Sequence, residues 1–177
     1  MKVIEPGQDR KIAALKSSFH VHFYFGGNMN SKYMKYAFDE AKIAFDENEV
    51  PIGAVIVKDG KVIARAHNLK EHNNCCIYHA EILAIMHASN IIDNWRLDGC
   101  DIYVTLDPCP MCASAIKQAR ISNIFSANNN ADLNNNKLLD EILKGDKVNP
   151  SVNLISNIDR EQSRKILNDF FNKQRNN

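Results

Sequence analysis

The sequence predicts a single three-layer α/β domain. Its mixed five-stranded sheet opens with an antiparallel hairpin, continues with parallel strands, and is flanked by helices. Three observations point there. The chain has 177 residues, enough for one well-filled core and too few for two ordinary domains. It is 45% hydrophobic and 24% charged, the balance of a globular protein. After one two-strand hairpin, apolar β-type runs alternate with segments of helical period, a pattern that favours parallel strands joined by helical crossovers.

Residues 1–30 stand apart from this plan. Val21 to Phe25 is a short aromatic run ended by Gly26-Gly27. The segment is expected to be a partly disordered N-terminal extension, with the domain proper over residues 31–177. A first helix is expected from about Ser31, a plausible N-cap, to Asn48, because Tyr33, Tyr36, Ala37, Ala41, Ala44 and Phe45 recur on one face. Ile52 to Val57 and Lys61 to Ala66 read as strands around Lys58-Asp59-Gly60, and Asp-Gly is a tight-turn signal. The first strand is an unbroken apolar run, which predicts cover on both faces.

A polar loop, Asn68 to Asn74, leads to a helix from about Tyr78 to Ser89. That helix is apolar nearly all round (Ala80, Ile82, Leu83, Ala84, Ile85, Met86), so it is expected in a core. Asp93 to Asp98 connects to a strand, Asp101 to Leu106, closed by Asp107-Pro108. A helix starts near Pro110, where proline suits the first turn. Ile121 to Ala127 is a further strand. Asn128 to Asn136 reads as an asparagine-rich loop, Lys137 to Leu143 as a short helix, and Val152 to Ile155 as the last strand. The final helix spans Asp159 to about Lys173, with Asp159 and Gln162 patterned as a capping box and Ile166, Leu167, Phe170 and Phe171 as its core face.

Charge and cysteine content narrow the setting. No apolar run approaches the roughly 20 residues that span a bilayer, so no membrane partner is expected. A formal net charge of +1 neither demands a polyanion nor forbids a local basic face. Five cysteines, an odd count with one Cys-x-x-Cys pair, fit metal or reduced thiols better than a disulfide framework. Nothing near the N-terminus has the pattern of a signal peptide. A reducing, cytoplasmic location is the expectation.

The chemistry concentrates in two stretches, His79-Ala80-Glu81 and Pro108-Cys109-Pro110-Met111-Cys112. Zinc takes nitrogen and sulfur ligands tetrahedrally, and a catalytic site supplies three and leaves one place open. His79, Cys109 and Cys112 are such a set, one Zn2+ per subunit. Each half falls at the start of a predicted helix, where the positive helix end favours a thiolate. Glu81, one residue past the histidine, is offset beside the metal rather than onto it. There it can take a proton from an attacking water and deliver it to a substrate nitrogen. The reaction class is hydrolytic attack on an amidine-like carbon with ammonia leaving. The competing reading is a structural zinc site completed by His67, His72, Cys75, Cys76 or Cys100. It leaves unexplained why a glutamate occupies a core helix beside the metal.

These residues resemble the cytidine-deaminase-like zinc enzymes, and within them the bacterial tRNA-specific adenosine deaminases. The joined His-x-Glu and Pro-Cys-x-x-Cys signature is that family's established one. The resemblance extends to Glu49-Val50-Pro51-Ile52-Gly53-Ala54-Val55, His67-Asn68, Asn94-Trp95-Arg96-Leu97, the Tyr103 to Ala113 stretch, Ala119-Arg120-Ile121 and Asp169-Phe170-Phe171. It implies a cytidine-deaminase-like fold, with zinc on His79, Cys109 and Cys112, Glu81 as proton shuttle and Asn68 bonded to the target base. It also implies a substrate adenosine at the wobble position of a tRNA anticodon loop, converted to inosine, and a homodimer. Three stretches depart from the family pattern: Cys75-Cys76-Ile77-Tyr78 before the histidine, Asp107 in place of a glutamate, and Asn129 with Asn134-Asn135-Asn136 where an aspartate and glycines are usual. The alternatives are a small-molecule cytosine, cytidine or guanine deaminase, which shares every metal residue, and a non-catalytic zinc-containing RNA-binding subunit, which has no need of Glu81.

Overall fold

The structure is a computed structural model that describes residues 29–129 and 136–176. Its sheet grows outward from the hairpin. Strands β1 (Gly53–Lys58) and β2 (Lys61–His67) pair antiparallel. Asp59 and Gly60 between them both take left-handed backbone, φ 49° and 73°, the two-residue turn whose twist matches the strands. Strand β3 (Cys100–Val104) lies antiparallel on the other side of β1, and β4 (Asn123–Ser126) and β5 (Asn153–Ile155) extend it in parallel. The order is β2-β1-β3-β4-β5. The sheet is thus five-stranded and mixed, with the hairpin first and parallel strands after it.

Among the described residues five helices cover it: α1 (Met29–Asp46), α2 (Ala80–Ile92), α3 (Pro110–Gln118), α4 (Asn136–Leu143) and α5 (Arg160–Arg175). Alternation along the strands divides the core in two. Ala54, Ile56, Ile102, Val104 and Ile124 face one side, with Leu83 and Ala84 of α2, Ile116 of α3 and Leu139 of α4. Val55, Val57, Tyr103 and Phe125 face the other, against Tyr33, Met34, Ala37 and Phe38 of α1. Tyr103 stacks on Phe125 with ring centroids 4.6 Å apart. Helices on both faces make three layers, and β1 is buried from Gly53 to Val57 as its apolar run predicts.

Helix α1 approaches the sheet closely at Gly53. A Cβ there would collide with the Ala37 carbonyl oxygen and lie 2.6 Å from the Ala41 nitrogen. The missing side chain lets α1 settle on the end of β1. Gly53 N–H also donates to Thr105 Oγ1 (3.1 Å), and Ser163 of α5 donates to the Thr105 carbonyl (2.6 Å).

Four expectations need correction. Helix α1 begins at Met29, so Ser31 lies inside its first turn and is not the cap. Helix α2 is not enclosed: Met86 is 48% and Ile91 64% exposed. Phe171 is 46% exposed, because α5 turns Phe170 inward onto Phe45 and its neighbour outward. Asp159 occupies the N-cap position of α5 but makes no capping bond, so the capping box does not form. The expected extension, apart from Met29 and Asn30, and most of the asparagine-rich loop lie outside the described residues. No helix among those residues is long and apolar enough to cross a membrane.

Candidate active site

His79 and Cys109 are the N-cap residues of α2 and α3, both with extended backbone (φ −79°, ψ 151°; φ −68°, ψ 166°). Pro110 at the first helical position fixes where α3 begins. Cys112, on that first turn, points back beside Cys109 and is fully buried. Strand β3 delivers the cysteines and the β2–α2 loop delivers the histidine.

His79 Nδ1 lies 3.7 Å from Cys109 Sγ and 3.6 Å from Cys112 Sγ. A zinc ion bound tetrahedrally through one imidazole nitrogen and two thiolates would set nitrogen–sulfur edges of about 3.6 Å, from bond lengths of about 2.05 and 2.3 Å. The three groups therefore fit a metal of that type, and they form the one His/Cys/Asp/Glu cluster of this kind among the described residues. No fourth such ligand joins them there, which counts against a closed structural site. His67, one proposed fourth ligand, is engaged elsewhere.

Protons are distributed unevenly over the cluster. Hydrogen bonding from Cys112 and His79 holds the Cys109 thiol down to about 4, so it is a thiolate. The hydrogen bond to Cys109 and burial push Cys112 up, so it keeps its proton. Contact with the Cys109 thiolate raises His79. A cation binding here displaces protons from these donors.

Glu81 sits on the first turn of α2, 4% exposed, beside the Cys112 side chain. Burial pushes its carboxyl up to about 7, where a carboxyl can both take and give a proton near neutral pH.

Asn68 is buried at 8% exposure and clasps the protein twice. Its Oδ1 accepts the Ala80 N–H (2.9 Å) and its Nδ2 donates to the Val50 carbonyl (3.1 Å). The amide carries a second Nδ2 hydrogen besides the one given to Val50. Two contacts escaped the sequence reading. Glu49, 1% exposed, accepts the His72 N–H (2.7 Å) and ties down the β2–α2 loop. Ser156 Oγ donates to Asp107 Oδ1 (2.7 Å), which fixes the shortened acid before Pro108. A charged residue beside an apolar strand was the available signal for Glu49. Ser156 gave none.

Three donors that fit a metal at the starts of two helices, with a buried carboxyl next to them on a mixed sheet covered by helices, define a hydrolytic deaminase of the cytidine-deaminase-like fold. The chain belongs to the deaminase family described as MafB19-like deaminase, whose model matches residues 28–175, and groups with the tRNA-specific adenosine deaminases. The Bacillus subtilis tRNA-specific adenosine deaminase is 40% identical over 143 residues, 81% of this chain and 89% of that one. The Rickettsia felis protein of the same name is 51% identical over 94 residues, 52% of this chain and 65% of that one. Among solved structures, one from work on A-to-I editing by tRNA:A34 deaminases at the wobble position of transfer RNA has a TM-score of 0.66 at 35% identity, covering 77% of this chain and 99% of that one. A guanine deaminase from Bacillus subtilis reaches a TM-score of 0.55 at 36% identity, covering 59% of this chain and 67% of that one.

Proposed function

We propose that this chain hydrolyses adenosine to inosine at the wobble position of a tRNA anticodon, with zinc on His79, Cys109 and Cys112 and Glu81 as the proton shuttle. The observation that carries it is Glu81: a carboxyl 4% exposed beside a three-donor cluster. Zinc, when bound, supplies a Lewis acid that lowers the pKa of water to near neutrality. The chain's own groups do the rest. Glu81 accepts the proton of the attacking water at its carboxylate and gives it to the ring nitrogen of the base, then helps ammonia leave. The second Nδ2 hydrogen of Asn68 bonds the base. A nucleotide in a single-stranded loop reaches such a buried pocket by splaying out, without breaking a duplex.

We further propose a homodimer in the cytoplasm. Trp95, 57% exposed, lines a groove between α2 and α3 with Ile85, Ser89, Ala115, Gln118 and Ala119, and Met86 and Ile91 of α2 are themselves 48% and 64% exposed. That surface is where a second copy is expected. The free thiols of all five cysteines suit a reducing compartment. The start of the family match at residue 28 supports a deaminase unit from about residue 31, preceded by an extension.

The test is incubation of purified protein with a tRNA bearing adenosine at the wobble position, beside free cytosine, cytidine and guanine, with zinc content measured. Inosine in the tRNA, absent with Glu81→Gln, is the expected result. Turnover of guanine with the tRNA untouched would favour the second reading, which the guanine deaminase likeness keeps in view.

A further inference from the structure

A second group of titratable side chains lies one residue from Asn68. His67 ends β2, opposite Gly53 of β1. Its ring sits between two carboxylates: Nδ1 is 2.9 Å from Glu40 Oε2 on α1, and Nε2 is 3.3 Å from Glu47 Oε2 in the turn after α1. The ring and Glu40 are largely buried, their side chains 17% and 13% exposed. A neutral imidazole carries one N–H and one lone pair. In either tautomer that lone pair would face a carboxylate oxygen. Only the imidazolium donates to both.

We propose that His67, held as an imidazolium between Glu40 and Glu47, is a positioning residue for catalysis. It pins the end of β2 so that Asn68 holds the first turn of α2, and with it His79 and Glu81, in place. The path is short. Asn68 follows His67 in the chain, its Oδ1 accepts the Ala80 N–H, and Ala80 stands between His79 and Glu81. His79, the N-cap of α2, makes no side-chain capping bond of its own. Asn68 supplies that bond from outside the helix, satisfying a donor that the helix start leaves open. The catalytic consequence rests on the deaminase reading; the clamp itself does not.

Protonation makes the clamp pH-dependent. The carboxylate groups facing the ring are Glu40 and Glu47; β1 presents Gly53 across the ladder, Glu49 is turned to the His72 N–H, and His87 of α2 faces the Arg65 carbonyl instead. The hydrogen bond to Glu40 raises His67 above the ordinary histidine value. A raised folded value means the clamp is complete below about pH 6.5 and is lost as pH climbs through the higher folded value.

The experiment uses the full chain and has two arms. In the first, NMR of the labelled ring counts N–H groups on His67 and follows exchange of the Ala80 amide. Two ring N–H groups below about pH 6.5 are expected, with Ala80 protection falling as His67 deprotonates and falling in His67→Gln at all pH. One ring N–H below that pH, or Ala80 exchange indifferent to His67, overturns the proposal. In the second arm, His67→Gln should lower kcat about tenfold with KM within about twofold, since misplacement of a catalytic group costs rate before binding. In Glu47→Gln the amide N–H can serve a neutral ring, so both contacts survive deprotonation and the alkaline loss of kcat should flatten. An unchanged alkaline profile in Glu47→Gln counts against the clamp. If the NMR arm behaves as expected and no substrate is turned over, the deaminase reading fails and the clamp stands.

Discussion

Glu81 faces two opposing demands: the shuttle role proposed for it needs its carboxyl beside the His79, Cys109 and Cys112 donors, and burial makes that carboxyl costly to hold as a charge. Its folded value of about 7 lies above the ordinary 4.5, so the folded chain binds the extra proton and loses stability as pH rises between those values. Glu81→Gln removes that cost along with the shuttle. We expect turnover to fall by about 10²- to 10⁴-fold with zinc retained, while the melting temperature at pH 8 of metal-free protein stays level or rises. Activity and calorimetry on one preparation check both. Glu81 and the three cluster residues were legible because they lie within four-residue windows whose spacing is itself the signal. The partners of His67 were not. Glu40 and Glu47, 27 and 20 residues away, share one face of α1 and its following turn seven residues apart, but nothing in the sequence says which ring they will meet.

At the level of elements, periodicity found every helix and strand of the described residues, and the errors gathered at helix starts and on helix faces left without cover. Ser31 and Asp159 have the right chemistry for caps, yet the helix starts two residues earlier in the first case and the side chain makes no bond in the second. Apolar residues all round α2 implied enclosure, but residue type cannot say whether cover comes from the same chain. The contact of α1 with β1 gives the sharpest element-level prediction. Gly53→Ala drives a methyl into the backbone of α1 at Ala37 and Ala41, and neither can yield without shifting the helix. We expect a loss of about 1–3 kcal/mol, read by chemical denaturation, with a matching drop in kcat because Gly53 also ties to Thr105.

For the whole molecule, the exposed apolar residues of α2 and Trp95 are the surface on which the proposed homodimer is tested. The Arg96 and Arg120 guanidinium groups lie 4.6 and 5.8 Å from the centroid of the Trp95 ring, within reach of cation–π attraction. Met86→Glu places a charge on that surface. We expect the variant to run as a monomer in sedimentation while keeping its fold by circular dichroism; an unchanged mass would move the dimer surface elsewhere. The three-layer order was readable from the alternation of elements. Which helix face stays bare was not, since only packing decides it.

The near-contact of His79 with Cys109 joins points 30 residues apart in the chain. An ion held there would close α2 and β3 into a loop, acting as a reversible cross-link made of coordination bonds. Closing a loop of that length removes unfolded-chain entropy worth on the order of 3 kcal/mol. A chelator should therefore lower the melting temperature and speed amide exchange across α2 and β3 more than in α5, and added zinc should reverse both. The residues that would activate water thus also set how tightly the middle of the chain is laced to itself.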